Sequence, residues 1–168
     1  TAFAWRITNA EEVELAWRVR VLQFFSDDDC MQPLPAEPGH TGNALGSSAA
    51  EMTEAQHAFA LRSPRGWETL DACSPGQCHL GFEWKEAVPE VRCLLLQQGE
   101  SGFHAGGITL QRRDAPSGDN WRDVVTWHSI DAGKAKLSQS CPAPPSLPHG
   151  RPDGCKHESA RSASCARK

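Results

Sequence analysis

The sequence contains no tyrosine, although six tryptophans and six phenylalanines are present. Its apolar runs, such as Leu94-Leu95-Leu96, are only a few residues long. A membrane-spanning helix needs about 20, so no transmembrane segment is expected. No Asn-x-Ser/Thr sequon occurs, which removes glycosylation as an argument for export. The chain starts at Thr1 with no basic-then-apolar leader. It therefore reads as a processed product or a fragment whose targeting signal is gone. There is no Gly-x-Ser-x-Gly and no phosphate loop. No two of the seven histidines (His40, His57, His79, His104, His128, His149, His157) have the four-residue helical spacing of a zinc protease. A cysteine nucleophile needs a thiolate beside a base. Cys93 sits in mid-strand and Cys73 has a disulfide candidate nearby, so neither suits. Nothing here points to an enzyme, a resident metal or a cofactor.

What is there begins with charge. Of 17 basic and 21 acidic residues, seven basic and two acidic ones lie in 132–168, so that segment carries +5 and residues 1–131 carry −9. An acidic body disfavours nucleic acid, whose affinity rests on phosphate neutralisation. The segment 140–152 has five prolines and no apolar periodicity. Such a composition cannot offset the entropy of ordering it. Residues 132–168 therefore read as a Pro/Ser-rich, basic, disordered tail, and 1–131 as one domain of ordinary size. Seven cysteines are present, four in the body and three in the tail. Four in a body of this size suit two disulfides in a secreted, extracellular or luminal compartment; free thiols in a reducing compartment are the alternative. Cys73-Ser-Pro-Gly-Gln-Cys78 holds the best local pair, because Pro-Gly is a strong turn signal. Cys30 and Cys93 then remain as the other body pair, by elimination.

The body reads mostly as strands. Trp17-Arg18-Val19-Arg20-Val21 alternates apolar and charged residues and continues to Phe25. Leu80, Phe82 and Trp84 alternate with Gly81 and Glu83; Val91 to Gln97 is rich in β-formers on both parities; Ile108 and Leu110 alternate; Val124 to Trp127 is a further short run. Turn clusters separate them at 74–76, 99–102 and 115–120. Five or more strands at this spacing predict a β-sandwich or barrel. One short helix is predicted: Ser48-Ala49-Ala50-Glu51 has the capping-box form, and Met52 to Phe59 could carry it on for about two turns. Met31 to Ser47 reads as a Pro- and Gly-rich loop. Asp27-Asp28-Asp29 reads as a solvated turn at a strand end.

The serial order of these features resembles the discoidin, or coagulation-factor type C, domains. Ala58-Phe59 closes the helical stretch and Trp67 follows eight residues later. Then come Leu80-Gly81-Phe82, Val91 to Gln98, Ile108-Thr109-Leu110-Gln111, a Gly-Asp turn, Trp121 and Val125-Thr126-Trp127. The match spans residues 3–130 and rests on order rather than on any single motif. It implies an antiparallel β-sandwich of the galactose-binding-like jelly-roll type. It also implies binding through loops at one end, here Ser26–Leu34, Arg62–Trp67 and Gly99–His104. Arg62, Arg65, Trp67 and His104 become the ligand-binding candidates, with Trp67 packed beneath the loop and Arg62 and Arg65 either meeting an anionic group or facing water. The chain departs from the family at Ala60 and Arg62, where carboxylates commonly hold calcium; alanine offers no ligand oxygen and arginine a repelling charge. The implied function is a non-catalytic module for carbohydrate or another surface ligand, with a glycan, a protein or an anionic membrane surface as partner. The alternative is a structural or protein-interaction subunit in which the ancestral ligand and calcium site are lost.

Overall fold

The computed structural model describes residues 1–140; the tail beyond them, with Cys141, Cys155 and Cys165, lies outside the described residues. Nine strands form two antiparallel sheets facing each other as a sandwich. They are β1 (Ala2–Asn9), β2 (Arg18–Phe25), β3 (Gly42–Gly46), β4 (Trp67–Glu68), β5 (His79–Val88), β6 (Cys93–Gln98), β7 (Ile108–Arg113), β8 (Arg122–Trp127) and β9 (Lys134–Ser138). One sheet has the order β3-β5-β1-β7-β8 and the other β4-β2-β6-β9.

The period-2 alternation does what it predicts. Trp5 and Ile7 of β1, Leu80, Phe82 and Trp84 of β5, Ile108 and Leu110 of β7, and Trp127 of β8 fill the inner face of the five-stranded sheet. Val19, Phe24, Leu94, Leu96 and Leu137 answer from the other sheet. Phe24, Phe59, Phe82 and Trp84 form one aromatic cluster, with centroids 4.9–6.2 Å apart. Trp17 meets Trp67 edge to face at 5.4 Å. Three of the indoles are tied down by their N–H groups: Trp17 Nε1 donates to Gln98 Oε1 at 2.7 Å, Trp84 Nε1 to Pro35 O at 2.7 Å, and Trp127 Nε1 to Ser138 O at 3.1 Å, whereas Trp5 Nε1 and Trp67 Nε1 are buried with no partner among the described residues.

Both body disulfides are present, Cys30–Cys93 and Cys73–Cys78. They are compatible with a secreted or luminal protein. The second closes a short hairpin held by Asn9. Asn9 Nδ2 donates to Ser74 O at 2.8 Å, Glu11 O at 3.0 Å and Cys73 O at 3.3 Å, while Cys78 N donates to Asn9 Oδ1 at 2.9 Å.

Three sequence expectations differ locally. The helix shrinks to a single 3-10 turn, Ala55–Ala58, with Glu54 rather than Ser48 at its N-cap position and no side-chain capping bond. Its predicted first turn is taken by sheet-like pairing: Ala49 bridges Thr69, Ala50 N donates to Glu68 O, and Glu68 N to Thr53 O. Met52 sits at φ 65°, which a right-handed helix cannot include. In addition β3 forms inside the expected 31–47 loop, pairing with β5, and β9 forms inside the expected tail, pairing with β6 from Cys93↔Ser138 to Gln97↔Lys134. The sandwich thus continues past residue 131.

Candidate functional site

The loops suggested by the family resemblance do not converge at one end. Strand β2 starts beside Gln98 and ends beside Cys93. The loop Ser26–Leu34 therefore leaves one end of the smaller sheet, and Gly99–His104 the other. The Arg62–Trp67 segment finishes at the second of these ends, where Arg18 ties Glu68 to Glu100. It connects Phe59, stacked on Phe24 near one end of β2, to Trp67, paired with Val19 near the other, and so runs along the β4 edge.

Each loop is occupied with its own structure. Asp27 accepts backbone N–H groups of Gln32 at 2.8 Å and Met31 at 3.0 Å. Desolvation pushes its pKa up, but the backbone donors outweigh it and hold the carboxyl below its ordinary range. Asp28 pairs with Arg92 at 2.9 Å, and Lys136 Nζ donates to Asp29 O at 2.8 Å. The three aspartates serve a turn, as their spacing suggests. Among the described residues no group of three or more His, Cys, Asp or Glu is placed to hold a metal ion. At the other end Arg18 lies 3.8 Å over the Phe103 ring and pairs with Glu68 at 2.9 Å and Glu100 at 3.3 Å. It locks the 99–103 turn to β2 and β4. His104 follows with its Nδ1 out of solvent and without a partner. Trp67 is 1% exposed, core as the resemblance implies. Arg62 and Arg65 are exposed, and among the described residues no carboxylate meets either.

A second constellation lies on the outer face of the five-stranded sheet. With Trp5, Ile7, Leu80, Phe82, Ile108 and Leu110 turned inward, alternation turns Arg6, Thr8, His79, Gly81, Glu83, Thr109 and Gln111 outward. The register sets Leu45, Gly81, Arg6, Gln111 and Asp123 in one row across five strands. Along that row Arg6 Nε donates to Gln111 Oε1 at 2.7 Å, and Gln111 Nε2 donates to Asp123 Oδ1 at 2.7 Å. The next row along the face holds His79, Thr8, Thr109 and Thr126, with the last two hydroxyls 2.8 Å apart.

Over this face folds the β7–β8 connection. Arg113 anchors it: the guanidinium donates to Ala115 O at 3.0 Å, Gly118 O at 3.1 Å and Pro116 O at 3.3 Å, and pairs with Glu83. The fold-back sets the Trp121 ring 4.1 Å from the Arg6 guanidinium carbon and 5.2 Å from that of Arg113. Trp121 stays partly exposed. Burial lowers the Arg6 pKa and Arg113 adds to it, against the opposing charges of Asp119 and Asp123. Burial, and then the charge of Arg6, lower the His79 pKa, so its imidazole stays neutral further into acid.

Two signals for this face are present in the sequence: the alternation of Trp5 and Ile7 with Arg6 and Thr8, and that of Ile108 and Leu110 with Thr109 and Gln111. What is absent from it is the neighbourhood of the strands. No family model, curated protein or solved structure matches this chain.

Proposed function

We propose that the protein is a non-catalytic binding module for carbohydrate or another polar surface ligand, working from a secreted or luminal location. The observation that supports this best is the outer face of the five-stranded sheet. It combines planar donors and acceptors held in fixed positions on strands with a partly exposed tryptophan on the β7–β8 connection, which Arg113 holds down. A pyranose has the matching pair of surfaces, hydroxyls at its edge and C–H groups on its face. The resemblance to discoidin-type domains implies the same ligand class but puts it at the loops. A glycan array probed with the wild-type protein, with Arg62→Ala and Arg65→Ala beside it, tests the reading. Binding to at least one glycan family is expected; silence across the array counts against it.

A second reading, a structural or protein-interaction subunit, is favoured by Leu15, Met31, Met52, Leu61 and Leu70, which are 47–77% exposed. A stable stoichiometric complex recovered from native extract would support it. A monodisperse monomer would count against it.

A further inference from the structure

The hydrogen-bond chain Arg6–Gln111–Asp123 is complete within itself but open at both ends. Arg6 uses only Nε in it, and among the described residues its two terminal nitrogens have no partner. Asp123 uses Oδ1, which leaves Oδ2 as a free acceptor. This sets Arg6 apart from Arg18, Arg92, Arg112, Arg113 and Arg122, each of which meets a carboxylate. Neither terminal nitrogen of Arg6 is among the buried atoms left without a partner, so both reach solvent, where a ligand can complete them. From this we infer that the outer face of the five-stranded sheet binds an uncharged sugar. A pair of adjacent hydroxyls bridges the free Arg6 nitrogens, Asp123 accepts from a third, and the rim of the Trp121 ring, one face of which Arg6 already occupies, borders the sugar's apolar side.

The inference rests on the carbohydrate reading above and narrows it in two respects, the place and the charge of the ligand. The charge follows from counting what surrounds Arg6. Asp119 and Asp123 act on it as negative charges, Arg113 is matched by Glu83, and His79 is held toward its neutral form. One unmatched cation stands among two anions, on a domain whose described residues 1–140 carry −7, since Lys134 and Lys136 of β9 add to the −9 of residues 1–131. A carboxylated or sulfated sugar would meet Arg6 at the cost of Asp119 and Asp123. A free cation would be turned away by Arg6 and Arg113. A neutral polyol uses donors and acceptors together and disturbs neither. Gly81, the β5 neighbour of Arg6 in the row, packs directly against it. A Cβ there would collide with the Trp5 carbonyl oxygen and with Arg6 Cβ. The Trp121 ring is steadied because Arg6 lies against it and Arg113 grips the chain that carries it.

The test is titration calorimetry with two matched ligand sets. One contains neutral oligosaccharides ending in galactose, mannose or glucose, and the other the same lengths ending in glucuronic acid, galacturonic acid or sialic acid. The expected result is binding of at least one neutral sugar, with its acidic counterpart about tenfold weaker or worse, a difference of about 1.4 kcal/mol. Arg6→Met and Trp121→Ala should each weaken that binding by about tenfold or more, while Arg62→Ala/Arg65→Ala leaves it within about twofold. Should Arg6→Met fail to fold, Asp123→Asn decides in its place, because Asp123 is exposed. Preference for the acidic sugars overturns the inferred ligand but keeps a carbohydrate module. Loss at Arg62 and Arg65 with no effect at Arg6, Asp123 and Trp121 overturns the place. Absence of heat with either set removes both the inference and the reading beneath it.

Discussion

Asn9 is one of the polar side chains that hold the sandwich together. It is fully buried, and three of its four side-chain hydrogen bonds tie the end of β1 to the Cys73–Cys78 turn, the fourth going to Glu11 O. Asn9→Ala strands the Cys78 N–H and weakens the satisfaction of three carbonyls. A cost of about 2–4 kcal/mol is expected from leaving buried groups unsatisfied; urea unfolding would measure it, and a loss under ~1 kcal/mol would refute the clamp. His79 gives a pH prediction. Its ordinary value is 6.5, and burial followed by Arg6 lowers it in the fold. Below 6.5 the unfolded chain takes up a proton that the folded chain resists, so this residue's contribution is intact above 6.5 and is lost as pH falls toward the lowered value. His79→Gln should flatten that part of the stability profile, read from urea midpoints at about pH 7 and about pH 5. An unchanged slope would place the acid sensitivity elsewhere.

At the scale of elements, the two disulfides differ in what they restrain. Cys30–Cys93 spans 63 positions and ties the turn after β2 to the start of β6, whereas Cys73–Cys78 spans five. By loop-closure entropy the long bridge is worth about 4 kcal/mol and the short one about 2 kcal/mol. Cys30→Ala/Cys93→Ala should therefore lower the denaturation midpoint more than Cys73→Ala/Cys78→Ala, in parallel unfolding experiments on oxidised protein. Equal losses would show that native-state packing rather than chain entropy governs the effect. Segment 48–59 makes the converse point about elements. Local chemistry favours a capped helix there, and Ser48 and Glu51 have the required types and spacing. The backbone groups that the helix would use are instead claimed by Thr69 and Glu68 on the far side of a loop. Tertiary pairing outweighs a propensity worth only a few tenths of a kcal/mol per residue.

Across the whole molecule, β9 shows how far the domain reaches. It covers the open edge of β6, buries Leu137 and supplies the Ser138 carbonyl that accepts from Trp127 Nε1. A chain ending at 131 should unfold more easily than one ending at 140, by about 2 kcal/mol or more from the apolar burial of Leu137 alone. Thermal melts of the two lengths would check this, and matching melting temperatures would mean that β9 adds nothing. The segment is easy to miss in sequence, because Lys134-Ala135-Lys136-Leu137-Ser138 offers a single large apolar residue next to a proline-rich stretch. Strands β3 and β4 are short, and β3 lies in a Gly- and Pro-rich context. Both exist because a neighbour's edge was available, not because their own composition demands it.

The sequence by itself determined the period-2 alternation, and with it the all-β class, five of the strands, the buried ring set and the turn that closes Cys73 onto Cys78. These follow from interactions between residues close along the chain, or from the simple need of apolar faces to leave water. Only the tertiary structure decided that β1 lies between β5 and β7, so that Arg6, Gln111 and Asp123 fall into one row under Trp121. It also sent Ser26–Leu34 and Gly99–His104 to opposite ends of a sheet. The physical reason is the same in both cases. Alternation sets which face a side chain occupies, but its neighbours on that face come from strand order and register, which are settled by contacts between residues as far as 105 positions apart in the chain, as for Arg6 and Gln111.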